Sequence, residues 1–280
     1  PLSEEEDPRV QSLYCDMQDS ASIKEALGKC RLKVLFVAMP QALTSQQMKV
    51  CGMALVEAFA AGPPGLKVVR LSSLCIEPSD TFPDGQGPLG AAHVAIEQAM
   101  LACKQLDRIV SIRPVSFFTN IAYDLPALSK EAVAAAGGES VINSMLGRDA
   151  SARVNWVACE DIGAVAAHPM LLCGNGEDKT DSSEKVMKVD VTGGAANSLT
   201  LQEYLDVLSA ACREVYRDPA IVVTASDLPL PEHEDYAALW RFLRKGGFDQ
   251  ATADTTVKRI TGREPRRLVD HVKETLLLPL

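Results

Sequence analysis

The chain holds four histidines and eight cysteines, the side chains best suited to proton transfer, nucleophilic attack or metal ligation. His93 has Glu97 four residues on, a helical spacing. A histidine there titrates near neutral pH and could serve as a general acid. The same spacing also describes an ordinary ion pair on a helix surface. His168, His233 and His271 are scattered, and no His/Cys cluster has metal-ligand spacing, so no metal is expected. Cys15, Cys30, Cys51, Cys75, Cys103, Cys159, Cys173 and Cys212 form no Cys-x-x-Cys pair. Most lie in apolar runs, which points to reduced, buried thiols and a cytosolic compartment. Val191-Thr192-Gly193-Gly194-Ala195-Ala196-Asn197 looks like a phosphate-binding turn, but no third glycine follows at the required offset.

The elements that must position these groups alternate. Val10 to Cys15 is a candidate strand, and a short helix opens at Ser20 or Ser22 and runs through Leu27. Lys33 to Ala38 is a continuous apolar strand, the pattern of one buried on both faces of a parallel sheet. Helices are expected over Thr44 to Ala60 and Leu89 to Leu106, and strands over Leu66 to Ser72 and Arg108 to Arg113. Gly62-Pro63-Pro64-Gly65 is a hard stop, and a loop fills Glu77 to Pro88. The second half reads as strands over Val154 to Ala158 and Val186 to Val191. Its helices fall at Glu160 to Leu172, Leu201 to Tyr216, Tyr236 to Leu243, Asp249 to Ile260 and Arg266 to Leu277. Alternating strands and helices mean βαβ units and a parallel sheet covered by helices. Ligands of such sheets bind at the carboxyl ends of the strands.

Composition narrows the class. In 280 residues, 47% are apolar, enough for a sizeable core. There are 28 Lys plus Arg against 37 Asp plus Glu, a net charge of −9, which argues against nucleic acid as a partner. The basic residues Arg241, Arg244, Lys245, Arg263, Arg266 and Arg267 read as a solvated face. No apolar run is long enough to span a bilayer and no signal peptide is evident, so no membrane partner is expected. The chain begins Pro1-Leu2-Ser3-Glu4 rather than with Met, and a trimmed or incomplete chain is the expectation.

A set of segments then falls in order. Arg70-Leu71-Ser72-Ser73-Leu74 is followed by Gly87-Pro88-Leu89-Gly90 with His93 and Glu97. Ser111-Ile112-Arg113-Pro114 comes next with Phe117, Phe118 and Asn120, and then Val157-Ala158-Cys159-Glu160-Asp161-Ile162-Gly163-Ala164. Val191-Thr192-Gly193-Gly194 precedes Ser198-Leu199-Thr200, and Phe248 to Ile260 leads into Thr261-Gly262-Arg263-Glu264-Pro265. The set resembles the NmrA-like branch of the atypical short-chain dehydrogenase/reductases, from about Asp16 to about residue 275.

The resemblance implies an α/β fold, a doubly wound parallel Rossmann-like sheet with a smaller, mostly helical carboxyl-terminal lobe. Residues 8–150 would form the partial NAD(P)-binding domain, with the strand 186–192 returning to it. Residues 151–185 and 193–280 would form the substrate-side lobe. The family's glycine-rich strand, turn and helix have no counterpart here, so the sheet is expected to be incomplete at its amino-terminal end. The resemblance assigns Asp16 and Met17 to the adenine, and it sets Ala38, Met39 and Pro40 beneath the cofactor. Pro114 and Phe117 would wall its nicotinamide, Ser72 would contact the cofactor where the strand end lines the substrate side, and Ser73, Phe118 and Asn120 would face the substrate. The classical Tyr-x-x-x-Lys pair falls on Leu89 and His93. Leu89 cannot transfer a proton, which leaves His93 as the candidate catalytic group and a ligand of the nicotinamide ribose.

Two functions follow from the resemblance. The first is an NAD(P)H-dependent oxidoreductase acting on a small carbonyl, quinone or imine, with NADP ahead of NAD as cofactor. The second is a non-catalytic NAD(P)-sensing module whose partner is a regulated protein. If the 280 residues are the whole protein, dinucleotide binding should be poor. The missing turn removes two or three charge-assisted hydrogen bonds, about 3–9 kcal/mol, against about 8 kcal/mol for micromolar affinity.

Overall fold

A computed structural model describes residues 12–30, 32–40, 43–80, 82–144, 146, 152–168, 185–249 and 256–278. The elements alternate as the sequence requires. In order they are α1 (Ser20–Gly28), β1 (Val34–Val37), α2 (Ser45–Ala60), β2 (Leu66–Leu71), α3 (Gly87–Ala102), β3 (Leu106–Pro114) and β4 (Ser116–Phe117). A 3-10 turn (Phe118–Tyr123) leads to the short helices α4 (Leu125–Leu128) and α5 (Lys130–Ala135), then β5 (Glu139–Ser144), β6 (Arg153–Val157) and α6 (Cys159–Ala166). β7 (Val186–Val191) follows, then β8 (Ser198–Thr200), α7 (Leu201–Tyr216), β9 (Val222–Asp227), α8 (Glu234–Arg244), α9 (Thr256–Thr261) and α10 (Leu268–Leu276).

The central sheet is parallel throughout, in the order β1-β2-β3-β7. Its middle strands are the most buried, with Val68, Ile109 and Ile112 fully enclosed. α1, α2 and α3 share one core with the strand residues Val68 and Ile109. A second core on the other side joins Val69, Val110 and Ile112 to the carboxyl-terminal elements. This is the doubly wound Rossmann-like architecture. The other strands form smaller sheets. β6 pairs with β4 in parallel and β8 antiparallel, and β5 and β9 form a parallel pair. Among the described residues no helix is long and apolar enough to cross a membrane, and the described cysteines are free thiols.

The structure differs from the expected elements at two places near the start. Ser12 to Cys15 is not a strand. Its neighbour Asp16 donates its N–H to Ser22 Oγ at 2.9 Å, and the Tyr14 side chain lies in solvent. Val10 itself lies outside the described residues. Nor is β1 buried on both faces, since Phe36 is 50% exposed. Among the described residues β1 pairs only with β2, so it is an edge strand. The cap of α1 differs as well. Asp19, not Ser20 or Ser22, caps α1, and Thr44 with Gln47 forms a capping box on α2.

One tie joins α8 to the start of α2. The buried carboxylate of Asp235 in α8 accepts from Ser45 N at 2.6 Å and from Ser45 Oγ at 3.0 Å. It thereby satisfies an orphan amide at the start of α2 and sits well against the helix dipole. Asp235→Ala should cost about 1–2 kcal/mol and speed hydrogen exchange at the Ser45 amide. Unchanged exchange there would show that the tie contributes nothing.

Candidate functional site

In a parallel sheet all strands end at one edge. That edge gathers Ala38–Pro40 after β1, Ser72–Ser73 after β2, Pro114–Phe117 around the end of β3, and Thr192 after β7. The crossover from β2 to β3 starts α3 at the same edge, so His93 lies in the helix's second turn, close to it.

His93 is not a surface histidine. Its Nδ1 lies 2.6 Å from a guanidinium nitrogen of Arg70, a side chain fully buried beneath α3. Arg70 also meets Glu97 at 3.1 Å. One oxygen of Glu97 collects further hydrogen bonds from Ser72 Oγ, at 2.8 Å, and from Ser111 Oγ. Five side chains, from β2 and the residue after it, from β3 and from α3, thus form one polar network inside an apolar layer. Unpaired, either charge would be costly there. Burial lowers the Arg70 pKa to about 10, with Glu97 acting against the shift, so the guanidinium stays charged at neutral pH.

These facts define the state of His93. Burial, then the Arg70 charge, push its pKa down to about 3. The ring is neutral at physiological pH, so it does not act as an imidazolium acid. Arg70 can only donate, so Nδ1 accepts. Nε2 is the ring nitrogen that this contact leaves over.

The other candidates divide. Ser72 faces inward to Glu97 rather than toward a substrate. Ser73 falls on the opposite face of the strand end, where its Oγ accepts from Gln86 Nε2 at 2.8 Å. Ala38 and Pro40 are exposed and Met39 is half-buried against the sheet's helix-side core. Pro114 is buried beside Val191, and Phe117 is half-buried on the lobe-side core. Phe118 is fully enclosed, with its ring 5.4 Å from that of His271, so it fills the core instead of facing a substrate. Asn120 donates to Ser116 Oγ at 3.1 Å. Asp16 is exposed and accepts from Gln18 N, and Met17 packs at the margin of the helix-side core.

Sequence reasoning passed over Arg70 and Ser111, and saw Glu97 only as a neighbour. The signal was present: each is a polar residue interrupting an apolar run. A charge in the middle of a buried strand needs a partner.

The Gly193-Gly194 turn is structural. Gly193 N donates to Asn155 Oδ1 at 2.9 Å, and its carbonyl accepts from Asn197 Nδ2 at 2.8 Å. Among the described residues no cluster could hold a metal ion. The residues present at this edge of the sheet, His93 on α3 and Pro114 and Phe117 around the end of β3, are of types that could meet a nicotinamide ring and its ribose. Among the described residues no glycine-rich turn offers free amides to a pyrophosphate.

A second buried pair joins Asp124, just ahead of α4, to Tyr204 in α7. Tyr204 donates to Asp124 Oδ2 at 2.6 Å and stacks on Trp156 with ring centroids 5.2 Å apart. Burial raises the Asp124 pKa to about 6, against the pull of the Tyr204 hydrogen bond.

No family model matches the chain, and no curated protein does. Solved structures do. A nucleoside-diphosphate-sugar epimerase from Staphylococcus aureus is 12% identical with a TM-score of 0.63, over 92% of this chain and 82% of that one. A triphenylmethane reductase from Citrobacter sp. is 16% identical with a TM-score of 0.63, over 94% and 82%. An NADPH-dependent quinone oxidoreductase from Escherichia coli, complexed with NADPH, is 16% identical with a TM-score of 0.58, over 93% and 82%. At such identities the likeness establishes one thing, and it agrees with the strand order: this chain has a Rossmann-like α/β fold.

Proposed function

We propose that this protein is an NmrA-like, NAD(P)H-dependent oxidoreductase acting on a small carbonyl, quinone or imine, with NADPH ahead of NADH. The observation that carries the reading is the neutral His93 ring, held by Arg70 close to the carboxyl edge of the sheet. NAD(P)H, when bound, supplies a hydride. The chain's own part is to bind and orient. Ala38, Met39 and Pro40 would run beneath the cofactor, Pro114 and Phe117 would wall its nicotinamide, and Asp16 with Met17 would reach the adenine. His93 Nε2–H would donate to a ribose hydroxyl or to the oxygen that gains charge. A neutral imidazole polarises such an oxygen without giving up its proton, so the proton that completes the reduction comes from water. Ser73 and Asn120 are the polar groups proposed for the substrate side.

A second reading is favoured by one observation. Leu89, at the position of the family's acid, is buried in the helix-side core, which suits a non-catalytic NAD(P)-responsive module that regulates a partner protein. Titration of NADPH and NADH by calorimetry tests the first reading. Saturable binding is expected, weakened roughly tenfold in His93→Phe, the worth of one hydrogen bond. Absence of saturable binding rejects both readings. Binding without turnover of any quinone, enal or imine leaves the second.

A further inference from the structure

We infer that Arg70 is a positioning residue for His93, locking its ring in the tautomer with the proton on Nε2, and that Glu97 is the counter-charge that allows Arg70 to remain buried.

The argument is one of polarity. In a Ser-His-Asp triad a carboxylate accepts from Nδ1–H, which leaves Nε2 bare as a base. Here the partner of Nδ1 is a guanidinium, which carries donors only. The 2.6 Å contact therefore requires a bare Nδ1 and sends the ring proton to Nε2. A positive charge behind the ring also draws electron density from Nε2–H and makes it a stronger donor. The support is rigid. Arg70 is fully buried on the central strand β2. A second guanidinium nitrogen is held by Glu97 at 3.1 Å and lies 3.3 Å from Ser72 Oγ. Glu97 is fixed in turn by Ser72 and Ser111. The result is an imidazole that can donate at the sheet edge but cannot accept there. It would favour a ligand oxygen over a ligand N–H.

The inference rests on reading His93 as the donor of the site, and the test separates the two. Histidine labelled with nitrogen-15 distinguishes Nδ1 from Nε2 by NMR, and four histidines with His93→Asn as a control permit assignment. The protein should show a neutral His93 protonated on Nε2 from pH 5 to pH 8. Arg70→Lys should keep that state, because an ammonium also only donates. Arg70→Met/Glu97→Gln, which removes both charges together, should mix the tautomers and remove the part of the His93 pKa depression that Arg70 adds to that of burial. A proton on Nδ1 in the unaltered protein overturns the inference whether or not either variant folds. So does a double variant whose His93 signals are unchanged. If the tautomer behaves as stated while NADPH fails to bind, Arg70 keeps this role and the cofactor reading falls.

Discussion

Gly193→Ala should lower the stability of this protein by about 4 kcal/mol or more, the range reserved for specific structural damage. A Cβ built on Gly193 would lie 1.8 Å from the carbonyl oxygen of Trp156, 2.7 Å from Asn197 Nδ2 and 2.9 Å from Asn197 Cβ. Overpacking against side chains usually costs about 1–3 kcal/mol because they can turn aside. Here the nearest obstacle is backbone. Trp156 sits in β6, which pairs with β4 on one side and β8 on the other. Its ring is stacked on Tyr204. Asn197 is equally tied, since Nδ2 donates to Gly193 O and Arg266 O while Oδ1 accepts from Leu268 N. Any relief must break β6 pairing or the Asn197 brace. Gly163→Ala is the matched control. It lies within α6 with nothing inside 4 Å of the added carbon, and should raise stability by about 0.5–1 kcal/mol. Urea unfolding of both variants decides the matter. A Gly193→Ala protein within about 1 kcal/mol of the parent would mean that β6 yields easily.

Acid should act in opposite directions on half-buried His93 and on buried Asp124. Unfolded His93 takes a proton below about 6.5, whereas the folded ring takes one only near about 3. Between those values the unfolded chain holds the extra proton, so this contribution is full above pH 6.5 and is lost as pH falls. Asp124 is the reverse. Unfolded, it ionises near 3.8; folded, only near about 6. Its contribution is full below 3.8 and is lost as pH rises through 6. From pH 6.5 to pH 4, at 1.36 kcal/mol per pH unit, each term amounts to about 3 kcal/mol, and the two nearly cancel. Removing either group should unmask the other. His93→Asn should become more stable as pH falls from 6.5 to 4, and Asp124→Asn less stable by a similar amount. Urea midpoints at pH 4, 5, 6 and 7 give the slopes. Parallel profiles in the two variants would refute the burial of these groups.

The sheet was legible because parallel strands buried by helices write themselves as apolar runs. Val68-Val69 and Ile109-Val110 lie in the middle strands and read without ambiguity. β5 was missed although Glu139 to Ser144 alternates exposed and buried positions, because its buried face includes the small polar residues Ser140 and Ser144. β9, Val222 to Asp227, was missed beside a stronger helical pattern. Ser198–Thr200 pairs with β6 before α7 begins, although Thr200 reads as a simple helix cap. The polar network around His93 is not legible in the sequence. His93 could be named from its place relative to Leu89, but its protonation state depends on Arg70, which lies 23 positions earlier in the chain. Only the packing of α3 on β2 brings the two together.

The tie between Asp235 and Ser45 spans 190 positions of the chain, and that distance has a temporal side. During synthesis at about 5–20 residues per second, the carboxylate emerges on the order of 10–40 s after the amide it holds. Throughout that interval the first turn of α2 has its Thr44–Gln47 box but not the carboxylate, and the lobe does not yet rest on α3. The half-made protein therefore shows apolar sheet and helix faces to the cell for tens of seconds.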